Sequence, residues 1–148
     1  EHPSARFLWV GDGSLRSAWK QKVEAYELQD TVDCAGWQED VEPFLAAADV
    51  FLHVAEFEGL PLALIEAMSA GLPCALPASL VDDFEVVRPE HVLVIDEWDE
   101  FLQAVKDPSR RQRVAERGRT LVEEELSVEN MARQYEQLYR SVIQHIPS

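Results

Sequence analysis

Two glutamates that lie eight positions apart, Glu58 and Glu66, are the residues of this chain best suited to binding chemistry. Pro61 favours the first turn of a helix, so Glu58 should precede that helix and Glu66 should lie about one turn inside it. Carboxylates accept hydrogen bonds from hydroxyls, whereas the free amides and helix dipole at residues 59–62 favour an anion. The pattern predicts a ligand with both hydroxyls and phosphates, such as a sugar nucleotide.

Each of these residues alone also has a simpler interpretation. Glu58 is compatible with a solvated loop position, and Glu66 with a residue that favours the helix dipole. His53 ends a predicted buried strand beside the loop, where a substrate contact and a hydrogen-bonded core histidine are both open. The argument for binding therefore depends on the whole segment.

Alternating strand and helix patterns surround this segment. The predicted strands cover residues 6–10, 31–35, 49–54, 73–76 and 92–95, and the predicted helices cover 15–28, 40–47, 62–70, 98–106, 108–125 and 128–144. The alternation predicts an α/β fold with a doubly wound parallel sheet, helices on both faces and a helical C-terminal part. Ligands bind such sheets beyond the carboxyl ends of the strands, where the glycine turn at residues 11–13 and the loop at 55–60 should line one crevice.

Local signals define the ends of several predicted helices. Ser14, Asp107 and Ser127 are suited to N-caps, and Gly71 to the position just past a helix. In the last helix, a stripe with helical spacing is typical of a buried face. The stripe consists of Met131, Tyr135, Leu138 and Tyr139.

Size and composition limit the function classes. The 148 residues predict one domain spanning 1–148, and a net charge of −15 argues against a nucleic-acid partner. No apolar run reaches the roughly 20 residues that cross a bilayer. Cys34 and Cys74 lie in apolar runs and show no metal-ligand spacing, so we expect free thiols and a reducing, cytoplasmic setting.

A cluster of arginines at residues 110–119 has two interpretations. It is compatible with peripheral contact with an anionic membrane at the inner face. Glutamates are interleaved with these arginines, and this arrangement is typical of a solvated helix face.

Five blocks of residues follow one another in an order that resembles a known family. They are Val10-Gly11-Asp12-Gly13-Ser14-Leu15, Val32-Asp33-Cys34-Ala35-Gly36-Trp37, Ala48-Asp49-Val50-Phe51, Phe57-Glu58-Gly59-Leu60-Pro61-Leu62 and Glu66-Ala67-Met68-Ser69-Ala70-Gly71-Leu72-Pro73. Together they resemble the C-terminal, Rossmann-like donor-binding domain of retaining glycosyltransferases of the GT-B fold. The family pattern is a glutamate, seven residues and a second glutamate.

The resemblance implies a role for each residue of the segment. Glu58 would hold hydroxyls of the transferred sugar as the catalytic carboxylate, and Glu66 would hold the ribose of a nucleotide-diphosphate sugar. The other donor-binding residues that it implies are Gly11, Gly13, Trp37, Gly59, Leu60, Pro61 and Leu62, with Trp37 near the base and residues 59–62 along the diphosphate. It implies a hexosyltransferase-type enzyme that acts with retention and needs no metal or other cofactor.

Some features depart from the family pattern. Ala55 replaces the usual serine or threonine, and residues 78–84 replace a glycine-rich loop. The family's first, central strand and its loop, which supply an arginine and a lysine, do not precede Arg6. These departures leave a non-catalytic binding or interaction module as the alternative.

The resemblance therefore predicts a fragment of a longer glycosyltransferase that is inactive alone. Its expected partners are the sugar-nucleotide donor and an acceptor domain in the same parent chain. An unfilled sheet edge also predicts pairing with another copy. In the family, such a helix packs back toward the other domain, so part of the last helix's stripe should be exposed in this fragment.

Overall fold

The computed structural model describes residues 5–55, 58–59 and 61–144. In chain order the elements are β1 (Phe7–Val10), α1 (Arg16–Ala25), β2 (Val32–Gly36), α2 (Glu42–Ala47), β3 (Phe51–Leu52), α3 (Leu62–Ser69), β4 (Cys74–Pro77), α4 (Ala78–Asp83), β5 (Leu93–Ile95), α5 (Trp98–Lys106), α6 (Pro108–Glu125) and α7 (Val128–Gln144). A short 3-10 turn at Pro89–His91 precedes β5. The predicted α/β alternation is confirmed.

The strands form two parallel sheets. β1 pairs with β2, and β3, β4 and β5 pair in that order. Among the described residues, β1, β2, β3 and β5 therefore each have one unpaired edge, and β4 is paired on both sides.

The chain divides into two compact units, one ending at Ala46 and the other starting at Ala47. All of the buried apolar side chains among the described residues lie in the second unit. Leu64, Leu76 and Leu93 there are 0% exposed. In the first unit, the rings of Trp9 and Trp19 pack with centroids 4.4 Å apart. Whether residues 1–148 act as a single domain stays a prediction.

Helix ends follow local chemistry at three of the four predicted positions. Asp107 accepts hydrogen bonds from the amides of Ser109 and Arg110, and Ser127 Oγ accepts one from the amide of Asn130. Gly71 adopts φ +77° just past α3, a left-handed conformation that glycine adopts without steric cost.

The end of α3 is a Schellman motif. The amide of Gly71 donates to Met68 O at 2.9 Å, and the amide of Leu72 donates to Ala67 O at 3.0 Å. Leu72 is buried, and Pro73 then starts the approach to β4. The glycine and the following apolar residue thus fix where α3 ends.

The predicted N-cap at Ser14 is wrong. α1 begins after Leu15, and no side chain caps it. The carboxylate of Asp12 instead binds the amide of Gly13 at 2.8 Å and Arg16 Nη1 at 2.8 Å. An acid two positions earlier therefore orders this turn.

Two segments differ from the sequence-based picture. Residues 78–83, expected as a loop, form α4 because the segment lacks glycine and buries Leu80 and Val81. The stripe on α7 is 51–62% exposed at Met131, Tyr135, Leu138 and Tyr139, so the buried face predicted from spacing is wrong within the described chain. The expected exposure of part of this stripe is confirmed.

Within the described residues, no helix combines the length and apolar character needed to cross a bilayer. Two arginines of the cluster at 110–119 have partners on the protein. Arg119 pairs with Glu123 at 2.8 Å, and Arg111 donates to Val105 O. These contacts favour the solvated-face interpretation for those two residues, and membrane contact stays a prediction.

Both cysteines are free, as predicted, and we expect them to differ in reactivity. Burial raises the pKa of the Cys74 thiol to about 12, so at pH 8 Cys74 lacks the thiolate that reacts with alkylating agents. Cys34 is only partly buried. Iodoacetamide at pH 8 should therefore label Cys34 in the folded chain and both cysteines in urea, as mass spectrometry would show. Fast labelling of Cys74 without urea would contradict this burial.

Candidate functional site

Two backbone amides at the N-terminus of α3 have no acceptor in the described part of the chain. Pro61 is its N-cap, with extended backbone and no capping side chain. Pro61 O accepts from the amides of Leu64 and Ile65. Among the described residues, nothing accepts a hydrogen bond from the amides of Leu62 and Ala63. Unpaired amides at the positive end of a helix suit an anion, and anion binding at this helix start stays a prediction.

α3 has a buried face and an open face. Leu64, Ala67 and Met68 are at most 1% exposed, and they anchor the helix in the core. Leu62 is 73% exposed, and Glu66, one turn later on the same side, is also exposed. The carboxylate of Glu66 is thus presented to solvent on the face that starts at the free amides.

Glu58 lies in the loop between β3 and α3, beside His53. Its side chain is 40% exposed, and Glu58 Oε1 lies 3.9 Å from His53 Nε2. Among the described residues, no arginine or lysine pairs with Glu58. Within that part of the chain, the candidate site therefore carries two acids and no cation paired with Glu58.

Of the other predicted residues in this loop, the structure describes Gly59 but not Leu60. Gly59 is exposed, and a Cβ placed there would meet no atom within 4 Å, which leaves the backbone open to a ligand. Leu60, like Glu56 and Phe57, lies outside the described residues. The roles of Leu60 and of the two acids in one ligand site stay predictions.

In the first unit, the carboxyl ends of β1 and β2 are joined through two glycines. The amide of Gly11 donates to Gly36 O at 2.7 Å, with φ +136° at Gly11 and +72° at Gly36. Such angles are available to glycine and rarely to other residues. Gly13 is exposed, and a Cβ there would meet nothing within 4 Å. Gly11 therefore has a conformational role that Gly13 does not share.

The same end of the first unit presents an indole and a guanidinium. Trp37, directly after β2, is 69% exposed, so its indole is not buried against the described residues, and its contact with a base stays a prediction. Arg16 lies against Gly36, where a Cβ would come within 3.5 Å of Arg16 Nη2. Sequence reasoning did not single out Arg16. Its position four residues after Asp12 was the available signal.

A metal site has no support in the described part of the chain. It contains no group of three or more histidine, cysteine, aspartate or glutamate side chains that could hold a metal ion. The predicted independence of metal and cofactor stays a prediction.

Comparison with known sequences matches the chain to one family and to several relatives, among them two bacterial enzymes. Residues 1–109 match the family described as Glycosyl transferases group 1. The chain is 34% identical over 106 residues to the UDP-Gal:alpha-D-GlcNAc-diphosphoundecaprenol alpha-1,3-galactosyltransferase of Escherichia coli, covering 71% of this chain and 25% of the relative. It is 31% identical over 146 residues to the N-acetyl-alpha-D-glucosaminyl L-malate synthase of Bacillus anthracis, covering 94% and 38%. The chain thus spans well under half of these relatives.

Solved structures share the fold. HepE of Anabaena, crystallised in complex with UDP, matches with a TM-score of 0.80 at 16% identity, covering 94% of this chain and 42% of HepE. HepE has also been crystallised in complex with UDP-glucose. The sucrose-phosphate synthase of Thermosynechococcus elongatus matches with a TM-score of 0.80 at 26% identity, covering 98% of this chain and 40% of that one.

Proposed function

Since the chain belongs to the Glycosyl transferases group 1 family and has the α/β architecture of GT-B glycosyltransferases, we propose that it is the donor-binding part of a longer glycosyltransferase. In this proposal, the enzyme transfers a hexosyl group from a nucleotide-diphosphate sugar with retention. The acceptor domain belongs to the same parent chain. The observation that carries the proposal is the uncapped start of α3 with a carboxylate before it and another one turn inside it.

The proposed roles follow from the chemistry of these groups. The amides of Leu62 and Ala63 would bind the diphosphate, because they lack acceptors among the described residues and lie at the positive end of α3. Glu66 would accept hydrogen bonds from the ribose hydroxyls, and Glu58 from hydroxyls of the sugar. The exposed Trp37 would stack on the base.

The proposed mechanism is mainly electrostatic. As the glycosidic bond breaks, negative charge develops on the leaving diphosphate and positive charge on the sugar ring. Amides at the start of α3 would stabilise the first, and the carboxylate of Glu58 would stabilise the second. A well-placed group of this kind contributes roughly 3–4 kcal/mol to lowering the barrier. No metal is needed in this scheme.

We propose a uridine nucleotide as the donor's leaving group. The name of the E. coli relative specifies UDP-Gal, and that relative is 34% identical to this chain. HepE, which shares the fold, has been crystallised with UDP and UDP-glucose. These proteins support testing uridine donors first.

The alternative is a binding or interaction module that kept the fold without the chemistry. Ala55, which stands where the family usually has a serine or threonine, favours it, as does the absence of a paired arginine or lysine at Glu58 among the described residues. Nucleotide binding separates the two proposals. A donor-binding domain should bind a nucleotide, and a module that lost the donor site should not.

Calorimetric titration of the chain with UDP tests the proposal. We expect Glu66→Gln to weaken UDP binding about tenfold, since hydrogen bonds to a charged group contribute roughly 1.5–3 kcal/mol. Glu124→Gln is the matched control, because it removes the same charge from an exposed position on α6. Loss of affinity in both variants would indicate a charge effect without a ribose contact. Absence of UDP binding by the wild type would favour the alternative, a module that kept the fold but lost the donor site.

A further inference from the structure

His53 occupies an unusual environment at the end of β3. Its amide donates to Ala75 O at 3.0 Å, which fixes the backbone beside β4. The side chain is only 16% exposed, and its ring lies parallel to that of Phe51 with centroids 6.2 Å apart. Two neighbours along the sheet thus hold the imidazole in one place.

The Nε2 nitrogen of this ring has no hydrogen-bond partner in the part of the chain that the structure describes. His53 Nε2 is buried, and no described residue forms a hydrogen bond with it. A buried polar group without a partner costs roughly 1–3 kcal/mol, so such a group in a folded protein calls for an explanation. The interpretation of His53 as a hydrogen-bonded core histidine is therefore not supported within the described residues.

Among the described residues, the acidic group nearest to this nitrogen is Glu58 Oε1 at 3.9 Å. This separation exceeds a hydrogen bond of 2.7–3.2 Å by about 1 Å. A glutamate that is 40% exposed can close such a gap by rotating about its side-chain bonds. Hydrogen bonds of this kind are often long in the absence of ligand and shorten when the ligand binds.

We propose that His53 is a positioning residue for Glu58, and this inference rests on the proposed function of Glu58 in sugar binding. The Nε2–H group of the imidazole donates to one carboxylate oxygen of Glu58. The other oxygen then faces the hydroxyls of the sugar. In this proposal the imidazole does not touch the donor sugar nucleotide, because Nε2 is buried from solvent.

This role predicts an effect that depends on the sugar. Without the N–H group of His53, the Glu58 side chain rotates freely. Its hydrogen bonds to the sugar then require an additional loss of rotamer freedom. The nucleotide part of the ligand contacts other residues in our proposal. Substitution of His53 should therefore weaken binding of a sugar nucleotide and leave binding of the free nucleotide unchanged.

The experiment compares two ligands in three forms of the chain. UDP and the tighter-binding of UDP-glucose and UDP-galactose are titrated calorimetrically into the wild type, His53→Leu and His53→Gln. Leucine fills the space but has no N–H group, whereas glutamine keeps an N–H group on a side chain of similar reach. In His53→Leu we expect about tenfold weaker binding of the sugar nucleotide. UDP affinity should stay within about twofold, and His53→Gln should recover most of the loss.

Each outcome decides the inference. An equal loss for both ligands, or no recovery in His53→Gln, identifies a packing role and overturns it. An unchanged ratio of the two affinities in His53→Leu also overturns it. If the wild type binds neither ligand, the proposed function fails first, and the inference falls with it.

A second measurement does not use affinity. With each chain saturated with the sugar nucleotide, the ¹⁵N resonance of His53 Nε2 should differ between Glu58→Gln and the wild type. It should be the same in Glu124→Gln and the wild type. An identical Nε2 resonance in Glu58→Gln and the wild type would overturn the proposed contact.

Discussion

Glu58→Gln is expected to reduce sugar transfer by about a hundredfold to a thousandfold in the longer enzyme that we propose, which matches the loss of one transition-state-stabilising group. Glutamine has nearly the same size as glutamate, so the loop between β3 and α3 should keep its shape. The variant loses the negative charge that would stabilise the developing positive charge on the sugar ring. It also replaces one acceptor oxygen by a donor.

The measurement is the initial rate of sugar transfer at saturating donor, together with kcat/KM. The main loss should appear in kcat, because the charge on the ring develops only as the bond breaks. Glu124→Gln carries the same charge change on an exposed part of α6 and should transfer sugar at the wild-type rate. A Glu58→Gln rate within about fivefold of wild type would remove Glu58 from the catalytic role.

Features that depend on a few neighbouring residues could be predicted from the sequence. The start of α3 at Pro61 and its end at Gly71 both follow from the backbone properties of those residues. Asp107 and Ser127 cap their helices as predicted. Local rules succeeded there because each partner lies within three residues.

Features that depend on choices among several nearby partners could not be predicted in this way. Ser14 and Asp12 both suit the turn before α1, and only the structure shows that Asp12 binds the Gly13 amide and Arg16. The spacing on α7 indicates an apolar face, but it cannot specify what covers that face. Its Tyr135 is 52% exposed in the described chain.

The candidate site shows the same limit. The sequence placed Glu58 before a helix and Glu66 inside it, and the structure agrees. It gave no indication that His53 Nε2 would be buried without a hydrogen bond near Glu58, because that contact depends on how the loop returns toward β3. Loop paths are set by packing at several distant positions, so single-residue preferences do not determine them.

The core position that matters most to this site is Leu64, in the first turns of α3. Leu64 is 0% exposed, and the neighbouring core residues on the helix, Ala67 and Met68, are at most 1% exposed. We expect Leu64→Ala to lower the free energy of unfolding by about 3–5 kcal/mol, through lost burial and the cavity that remains. Urea denaturation followed by far-UV circular dichroism measures this change, since most of the helical residues belong to the second unit.

Leu62→Ala on the same helix is a closely matched control. The substitution is chemically identical, but Leu62 is 73% exposed, so its removal should change the free energy of unfolding by no more than about 0.5 kcal/mol. Equal losses in the two variants would mean that α3 is not anchored through the face that carries Leu64. The expected difference matters for function because this anchoring holds the free amides of Leu62 and Ala63 and the carboxylate of Glu66 toward solvent. A helix that loosens at Leu64 should therefore also bind UDP more weakly at temperatures where the chain is still folded.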